Sequence, residues 1–152
     1  MSAPLRVCAC GKIQSVDDAV ARYRSASEAN DIDALMASLA PDVELLSPVA
    51  GRFAFRGERD LRVLLSAVYG TIRGLRWREE VGDGPLRVVL GDCRIGPLKL
   101  GDAMVCELDE QGRIRRVTPH LRPWLALSCF ALAIGPRMVC HPGVILRAVR
   151  RR

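Results

Sequence analysis

Few residues of this 152-residue chain could carry out proton-transfer chemistry. The first candidate is His120, because imidazole titrates near neutral pH without help from its surroundings. His120 ends a predicted strand, where strict alternation puts it on the face opposite Pro119. A bulge at Pro119 would reverse that facing. A pocket role and a structural or interface role for His120 therefore both remain open.

Tyr23 is the second candidate. It falls at helical spacing with Val16, Ala19, Val20 and Ala26, on the face of the first predicted helix that packs on the rest of the domain. A buried phenol needs a hydrogen-bond partner, which is either a ligand or a backbone carbonyl. We predict that Tyr23 lines a pocket.

Other polar or aromatic residues have simpler interpretations. Asp92 and Arg94 share one face of a predicted strand and are expected to form a surface ion pair. Trp77, on a strand, is either a core residue or a platform for a ligand. His141 lies at a turn in the C-terminal segment, where we expect no chemistry.

The six cysteines show no metal-binding pattern. They stand at positions 8, 10, 93, 106, 129 and 140, without a CxxC pair, and Cys140 alone is adjacent to a histidine. Cys93, Cys106 and Cys129 are interpreted as small apolar core residues. We predict no metal site and no cofactor.

The elements that must position these residues are helical early and extended late. Three helices are predicted, from Ser15 to Asn30, from Asp31 to Pro41 and from Gly57 to Gly74. Six strands are predicted, over Val43–Val49, Phe53–Phe55, Leu75–Val81, Leu86–Ile95, Ala103–Leu108 and Arg113–Leu121. In the tail, helices are predicted to start at Pro123 and at Pro142, with a break at Gly135-Pro136.

This order predicts an α+β domain in which a curved, mostly antiparallel sheet wraps over three N-terminal helices as a cone-shaped barrel. Such a cone encloses an apolar cavity. The expected organisation is a flexible tail over residues 1–14, the cone domain over 15–122 and a C-terminal helical extension over 123–152.

Composition limits the class of protein. The net charge is +6, and 21 of the 23 basic residues are arginines, most of them scattered, with one cluster at the C-terminus (Arg147, Arg150, Arg151 and Arg152). No nucleic-acid motif frames them and aromatic residues make up 5% of the chain. Nucleic-acid binding is not expected. The sequence shows no run of about 18 to 20 apolar residues and no secretory signal pattern, so we expect a cytoplasmic protein.

The C-terminal segment has three interpretations. Its first helix, "WLALSCFALAI", is apolar almost all round, so it is buried against its own molecule or against another. It could also plug the cavity. Alternatively, the basic amphipathic end could rest on an anionic membrane surface.

The segments "ARYRSASEANDIDALMASLAPDVELLSP", "FRG" and "LDEQGRI" resemble the nuclear-transport-factor-2-like superfamily, over roughly residues 15 to 122. The polyketide-cyclase-like (SnoaL-type) and ketosteroid-isomerase-like branches are the most similar. The resemblance implies this fold and a dimer formed through the open face of the sheet. It is weak evidence for activity, since the fold hosts enzymes, transport factors and scaffolds.

Matched residue by residue, most catalytic groups of these families are absent here. Tyr23 matches the oxyanion donor of the isomerases, but Ser47 stands where their carboxylate base lies and Met104 where their protonated acid lies. Asp102 is two residues from that second position. Pro119 stands where the cyclases have an aspartate, and the segment Asp92 to Arg94 reverses the Arg-x-Asp of limonene-epoxide hydrolases.

We therefore predict a homodimeric domain that binds a small apolar molecule of unknown identity. The predicted pocket residues are Tyr23, Leu45, Ser47, Trp77, Val89, Met104 and Pro119. The alternative is a divergent isomerase, cyclase or epoxide-hydrolase-type enzyme, in which Tyr23 and His120, with Asp102 as a third candidate, handle a proton. A binding domain should have no titratable group inside its cavity.

Overall fold

A computed structural model describes residues 18–51 and 53–150. It contains α1 (Ala19–Ala29), α2 (Ile32–Ala37), β1 (Leu39–Leu46), β2 (Ala54–Arg56), α3 (Glu58–Tyr69), β3 (Arg73–Val81), β4 (Leu86–Ile95), β5 (Leu98–Leu108), β6 (Ile114–Arg122), α4 (Trp124–Val139) and α5 (Pro142–Arg150). The predicted flexible tail and the predicted helix start at Ser15 lie outside the described residues. The α+β class is confirmed.

The first two helices are delimited by their caps. The Asp18 carboxylate accepts a hydrogen bond from the backbone N–H of Val20 at the start of α1. Asn30 ends this helix in the left-handed conformation, with φ of 57°. Asp31 then caps α2 through the N–H of Ala34. These caps orient α1 so that Tyr23 faces the sheet.

Several predicted boundaries were wrong, and β5 begins at Leu98 where Ala103 was predicted. β1 begins at Leu39 and contains Pro41, which lies where the pairing with β6 shifts register between Leu39 and Glu44. A proline is tolerated at such an irregularity because no ladder hydrogen bond is needed from its nitrogen. α3 ends at Tyr69, well before Gly74.

The sheet has the strand order β2-β1-β6-β5-β4-β3 and curves without closing. Its pairs are antiparallel except for β1 with β6, which is parallel. A bulge in β3 between Trp77 and Glu79 reverses the facing of the residues that follow. Glu80 therefore points inward, where it pairs with Arg24 and Arg87, and Val81 is exposed.

The C-terminal segment packs on the domain. α4 continues through Gly135 and Pro136, so the predicted break was wrong. Leu132, whose carbonyl loses its helical partner at Pro136, is 76% exposed, so this carbonyl can bond to water. α4 contacts α3, β4, β5 and β6, and α5 contacts α4 and β2.

Within the described part of the chain, no single helix is long and apolar enough to cross a membrane. α4 and α5 meet that criterion only together, as a pair bent by 112°.

Candidate functional site

A cavity of about 240 Å³ lies between the inner face of the sheet and the helices. Its walls come from α1, α3, α4, α5, the loop after β1 and all six strands. The lining residues are Tyr23, Leu45, Ser47, Pro48, Val49, Phe53, Phe55, Leu64, Leu65, Val68, Tyr69, Ile72, Leu75, Trp77, Cys93, Leu100, Asp102, Met104, Val117, Pro119, Leu121, Phe130, Ala131, Ile134, Met138 and Ile145.

Among the described residues that line the cavity, Asp102 is the one with a charged side chain. The alternation of β5 turns Leu100, Asp102 and Met104 to the same inner face, so the carboxyl needs no register slip to enter the cavity. Burial raises the pKa of Asp102 to about 6, against the opposing effects of the backbone N–H of His120 and of the charge on its imidazole. The cavity thus holds a carboxyl that titrates close to neutral pH, and so it differs from the cavity without titratable groups that was expected of a binding domain.

Two phenols lie in the wall of the cavity. The hydroxyl oxygens of Tyr23 and Tyr69 are 3.0 Å apart and form a buried hydrogen bond. Burial raises the pKa of both hydroxyls well above the usual range, and the negative charge of Asp102 raises both further. Both phenols therefore stay protonated, and the Tyr69 hydroxyl also interacts with the Ser27 side chain.

Trp77 covers part of the cavity wall on β3. Its indole N–H donates to Ser27 Oγ at 2.8 Å, and its backbone N–H donates to the Glu28 carboxylate at 2.6 Å. The ring lies against Gly91 on β4, where an added Cβ would come within 2.6 Å of Trp77 Cε3. A glycine at this position lets the ring lie flat on the sheet beside Asp102.

His120 lies outside the cavity. It is exposed on the outer face of the sheet, while Val117, Pro119 and Leu121 of the same strand line the cavity. Its ring Nδ1 is 3.2 Å from the carbonyl oxygens of Ala103 and Thr118. Of the two alternatives left open for His120, the inward-facing one does not occur, because β6 keeps its alternation at Pro119. The link of His120 to the cavity is its backbone N–H, which donates to Asp102 Oδ1 at 3.2 Å.

Most of the other residues predicted for the pocket do line the cavity. Leu45, Ser47, Met104 and Pro119 lie in the wall, as do Tyr23 and Trp77. Ser47 Oγ accepts hydrogen bonds from the N–H groups of Val49 and Ala50, so it stabilises a turn. Val89 is fully buried but is not among the lining residues; it packs in the core beside the cavity.

The sequence analysis missed two parts of the wall. Tyr69 is four residues after Leu65 on α3, and this spacing could have placed it on the inner face. The second part comes from the C-terminal helices, through Phe130, Ile134 and Ile145. The C-terminal helices thus form one side of the cavity and do not fill it, as a plug would.

The buried cysteines fill space in the core as small apolar side chains. Cys93 and Cys106 are buried, Cys129 is half-buried and Cys140 is exposed. Burial raises the pKa of Cys93 to about 11 and that of Cys106 to about 12, so both are thiols at neutral pH. Among residues 18–51 and 53–150, no three His, Cys, Asp or Glu residues group as metal ligands.

The surface ion pair of Asp92 is not with Arg94. Its carboxylate accepts two hydrogen bonds from Arg78, at 2.6 and 3.1 Å, and Arg94 donates to the carbonyl of Pro97. The pKa of Asp92 is lowered, mainly by the hydrogen bond from Arg78. The segment Asp92–Arg94 therefore does not form a water-activating pair.

Comparison with solved structures identifies the architecture. An uncharacterised protein with a cystatin-like fold from Silicibacter pomeroyi DSS-3 matches with a TM-score of 0.80 and 21% identity, over 89% of this chain and 96% of that one. A steroid delta-isomerase from Pseudomonas aeruginosa matches with 0.73 and 21%, over 82% and 92%. A nuclear-transport-factor-2-like protein of unknown function from Burkholderia xenovorans LB400 matches with 0.61 and 21%, over 72% and 88%. The fold is nuclear-transport-factor-2-like.

Other matches carry the name polyketide cyclase or SnoaL-like polyketide cyclase. No protein-family model matches the chain, and no curated protein sequence does. Identities of 12 to 23% establish the fold alone, and this fold serves several activities. The function has to be argued from the cavity.

Proposed function

We propose that this protein binds a small, mostly apolar molecule carrying one polar group, in the cavity between the sheet and the helices. The observation that carries the proposal is an almost wholly apolar wall interrupted by one carboxyl, Asp102, near a pair of hydroxyls. Ligand pockets typically have this composition, with a few polar groups that fix orientation. The volume of about 240 Å³ suits a ligand below ordinary drug size.

The polar groups favour a hydrogen-bond acceptor on the ligand. Below about pH 6 the Asp102 carboxyl is protonated and can donate a hydrogen bond. A carbonyl or ether oxygen of the ligand would accept it. An anionic ligand would meet the Asp102 carboxylate above that pH and is disfavoured.

The test uses prodan, a neutral naphthalene ketone whose emission shifts to the blue in an apolar site. Saturable binding is expected, tighter as pH falls through about 6. Ala131→Trp fills the cavity from α4 and should abolish binding. Leu132→Trp, on the exposed side of the same helix, should leave it unchanged. Failure of the wild type to bind, or equal binding by the two variants, would overturn the proposal.

A second candidate, proton-transfer catalysis, is favoured by the pKa of Asp102. A carboxyl with a pKa of about 6 can both accept and release a proton near neutral pH. The two buried phenols could stabilise an enolate oxygen. The test is exchange of the α-protons of bound prodan for deuterium, followed by NMR. Exchange that is no faster than with Asp102→Asn would exclude this candidate.

We also propose a homodimer through the outer face of the sheet. Val88, Leu90, Ala103 and Val105 form a half-buried, mainly apolar patch there, and His120 lies beside it. This favours an interface role for His120. Val105→Arg should convert a dimer to a monomer in sedimentation, whereas Val81→Arg, at an exposed site on β3, should not. A wild type that sediments as a monomer would contradict the proposal. A cytoplasmic location remains a prediction from the sequence.

A further inference from the structure

An exposed apolar stripe runs along α4. Trp124, Leu125, Leu132 and Val139 are 76%, 48%, 76% and 69% exposed. Their spacing puts them within one 100° sector of the helix, together with Ser128. The opposite side of α4 is buried through Ala126, Phe130 and Met138. The stripe therefore extends about 22 Å along the helix and contains no charged residue.

The same segment carries only positive charge. From Pro123 to Arg152 the sequence contains five arginines, one histidine and no aspartate or glutamate. Arg150 is exposed on α5, beside the exposed Leu146 and Val149, whereas the guanidinium of Arg147 is paired with Asp60 on α3. The two following residues in the sequence are also arginine. Apolar and basic groups thus occur together.

We propose that α4 and α5 dock on an anionic lipid surface. An uncharged apolar helical face with a tryptophan, in a segment whose acidic residues are absent and whose basic residues are arginines, matches the chemistry of such a surface, in which the helix lies in the plane of the headgroups. A second copy of the chain fits less well, because its own segment Pro123–Arg152 offers no carboxylate to the arginines. The charge favours lipid as the occupant.

Docking brings the cavity close to the lipid. Phe130 and Ile134 of α4 line the cavity on the side of the helix away from the stripe. One helix diameter, about 10 Å, then separates the lipid surface from the cavity. An apolar ligand dissolved in the lipid would then enter the cavity from this side. This consequence rests on the proposed function, whereas the docking itself does not depend on it.

The experiment is vesicle flotation without any cavity ligand, with phosphatidylcholine vesicles that contain or lack phosphatidylserine. The protein should float with the anionic vesicles and much less with the neutral ones, and high salt should release it. Trp124 is exposed and Trp77 is buried, so a blue shift of tryptophan emission on binding reports the stripe.

Matched variants separate the two contributions. Leu132→Gln should weaken binding roughly ten-fold, and Arg150→Gln about five-fold. Val81→Gln and Arg76→Gln make the same changes at exposed sites on β3, the edge strand farthest from β2, and should change nothing. All four sites are exposed, so folding is preserved.

Three results would overturn the proposal. The first is a wild type that does not float with the anionic vesicles. The second is equal flotation of all four variants. The third is a lipid-free dimer that Leu132→Gln dissociates while vesicle binding is unchanged, which would assign the stripe to a second copy. Because the flotation experiment contains no cavity ligand, its results can be interpreted whether or not the proposed function is correct.

Discussion

Gly91 on β4 lies directly under the indole ring of Trp77 on β3. A Cβ at Gly91 would come within 2.6 Å of Trp77 Cε3 and 2.8 Å of the Arg76 carbonyl oxygen. The second contact is with backbone in a paired strand, which cannot move without breaking the pairing of β3 with β4. The close approach therefore fixes the position of the ring in the cavity wall.

Gly91→Ala should lower the free energy of unfolding by about 1–3 kcal/mol, because the ring and the strand must both shift. The measurement is urea unfolding. Gly101→Ala is the matched control in the neighbouring strand, where the added Cβ would have ordinary contacts at 3.6 Å. Equal stability of the two variants would show that Trp77 is not held against Gly91.

Asp102 should make stability depend on pH. Its folded-state pKa of about 6 lies above the ordinary value of 3.8, so folding favours the protonated form. The stabilisation is fully present below about pH 4 and is lost as pH rises through about 6. The difference corresponds to about 3 kcal/mol. Asp102→Asn should therefore be more stable than the wild type at neutral pH, with no such advantage below pH 4, as measured by thermal unfolding.

Asp92→Asn is the control for this prediction. Its pKa is lowered by Arg78, so its stabilisation is present above the ordinary value and is lost as pH falls. The substitution should reduce stability slightly at neutral pH, opposite in sign to Asp102→Asn. If Asp102→Asn also destabilises at neutral pH and not at low pH, the carboxyl is not held in an apolar environment.

The two phenols should resist ionisation. Tyr23 and Tyr69 are the only tyrosines of the chain, so the tyrosinate absorbance reports this pair alone. Burial raises both pKa values, so the folded protein should show no tyrosinate at pH 10, where the denatured protein is half ionised. Stability should accordingly fall as pH rises above about 10, because only the unfolded chain loses the protons. Tyrosinate forming at pH 10 without unfolding would place a hydroxyl in solvent.

Arg147 ties α5 to the domain. It donates two hydrogen bonds to the Asp60 carboxylate on α3, at 2.6 and 2.8 Å, and Asp60 is 8% exposed. Arg147→Met should lower the stability of the folded protein and speed amide hydrogen exchange in α5, because it leaves the buried Asp60 carboxylate without this partner. Arg62→Met, whose partners Asp33 and Glu58 are 86% and 73% exposed, should have little effect. Unchanged exchange in α5 would show that the pair does not hold the helix.

The sequence was sufficient for the fold wherever local signals were strong. Asp31 as a cap, the apolar stripe of α3 and the span of β4 were all predicted from spacing and turn residues. The errors arose where long-range pairing decided the outcome. The bulge after Trp77 and the start of β1 at Leu39 depend on partner strands distant in sequence.

The sequence predicted several residues that line the cavity, but it did not predict that the Asp102 carboxyl lies inside it. The resemblance placed Met104 and Pro119 in the cavity, and period-two alternation along β5 from Met104 would have placed Asp102 there as well. The predicted strand began at Ala103, so Asp102 was expected to enter the cavity only through a register slip. The contribution of α4 to the wall could not be foreseen, because an apolar helix does not specify which surface it covers.

The most direct test of the account is the pKa of Asp102, followed by the NMR shift of its carboxyl carbon with and without saturating prodan. The account predicts a value near 6 in the free protein and a higher value in the complex, because a ligand in the cavity removes water from the carboxyl. A pKa near 4 in the free protein, or one that prodan does not change, would contradict it.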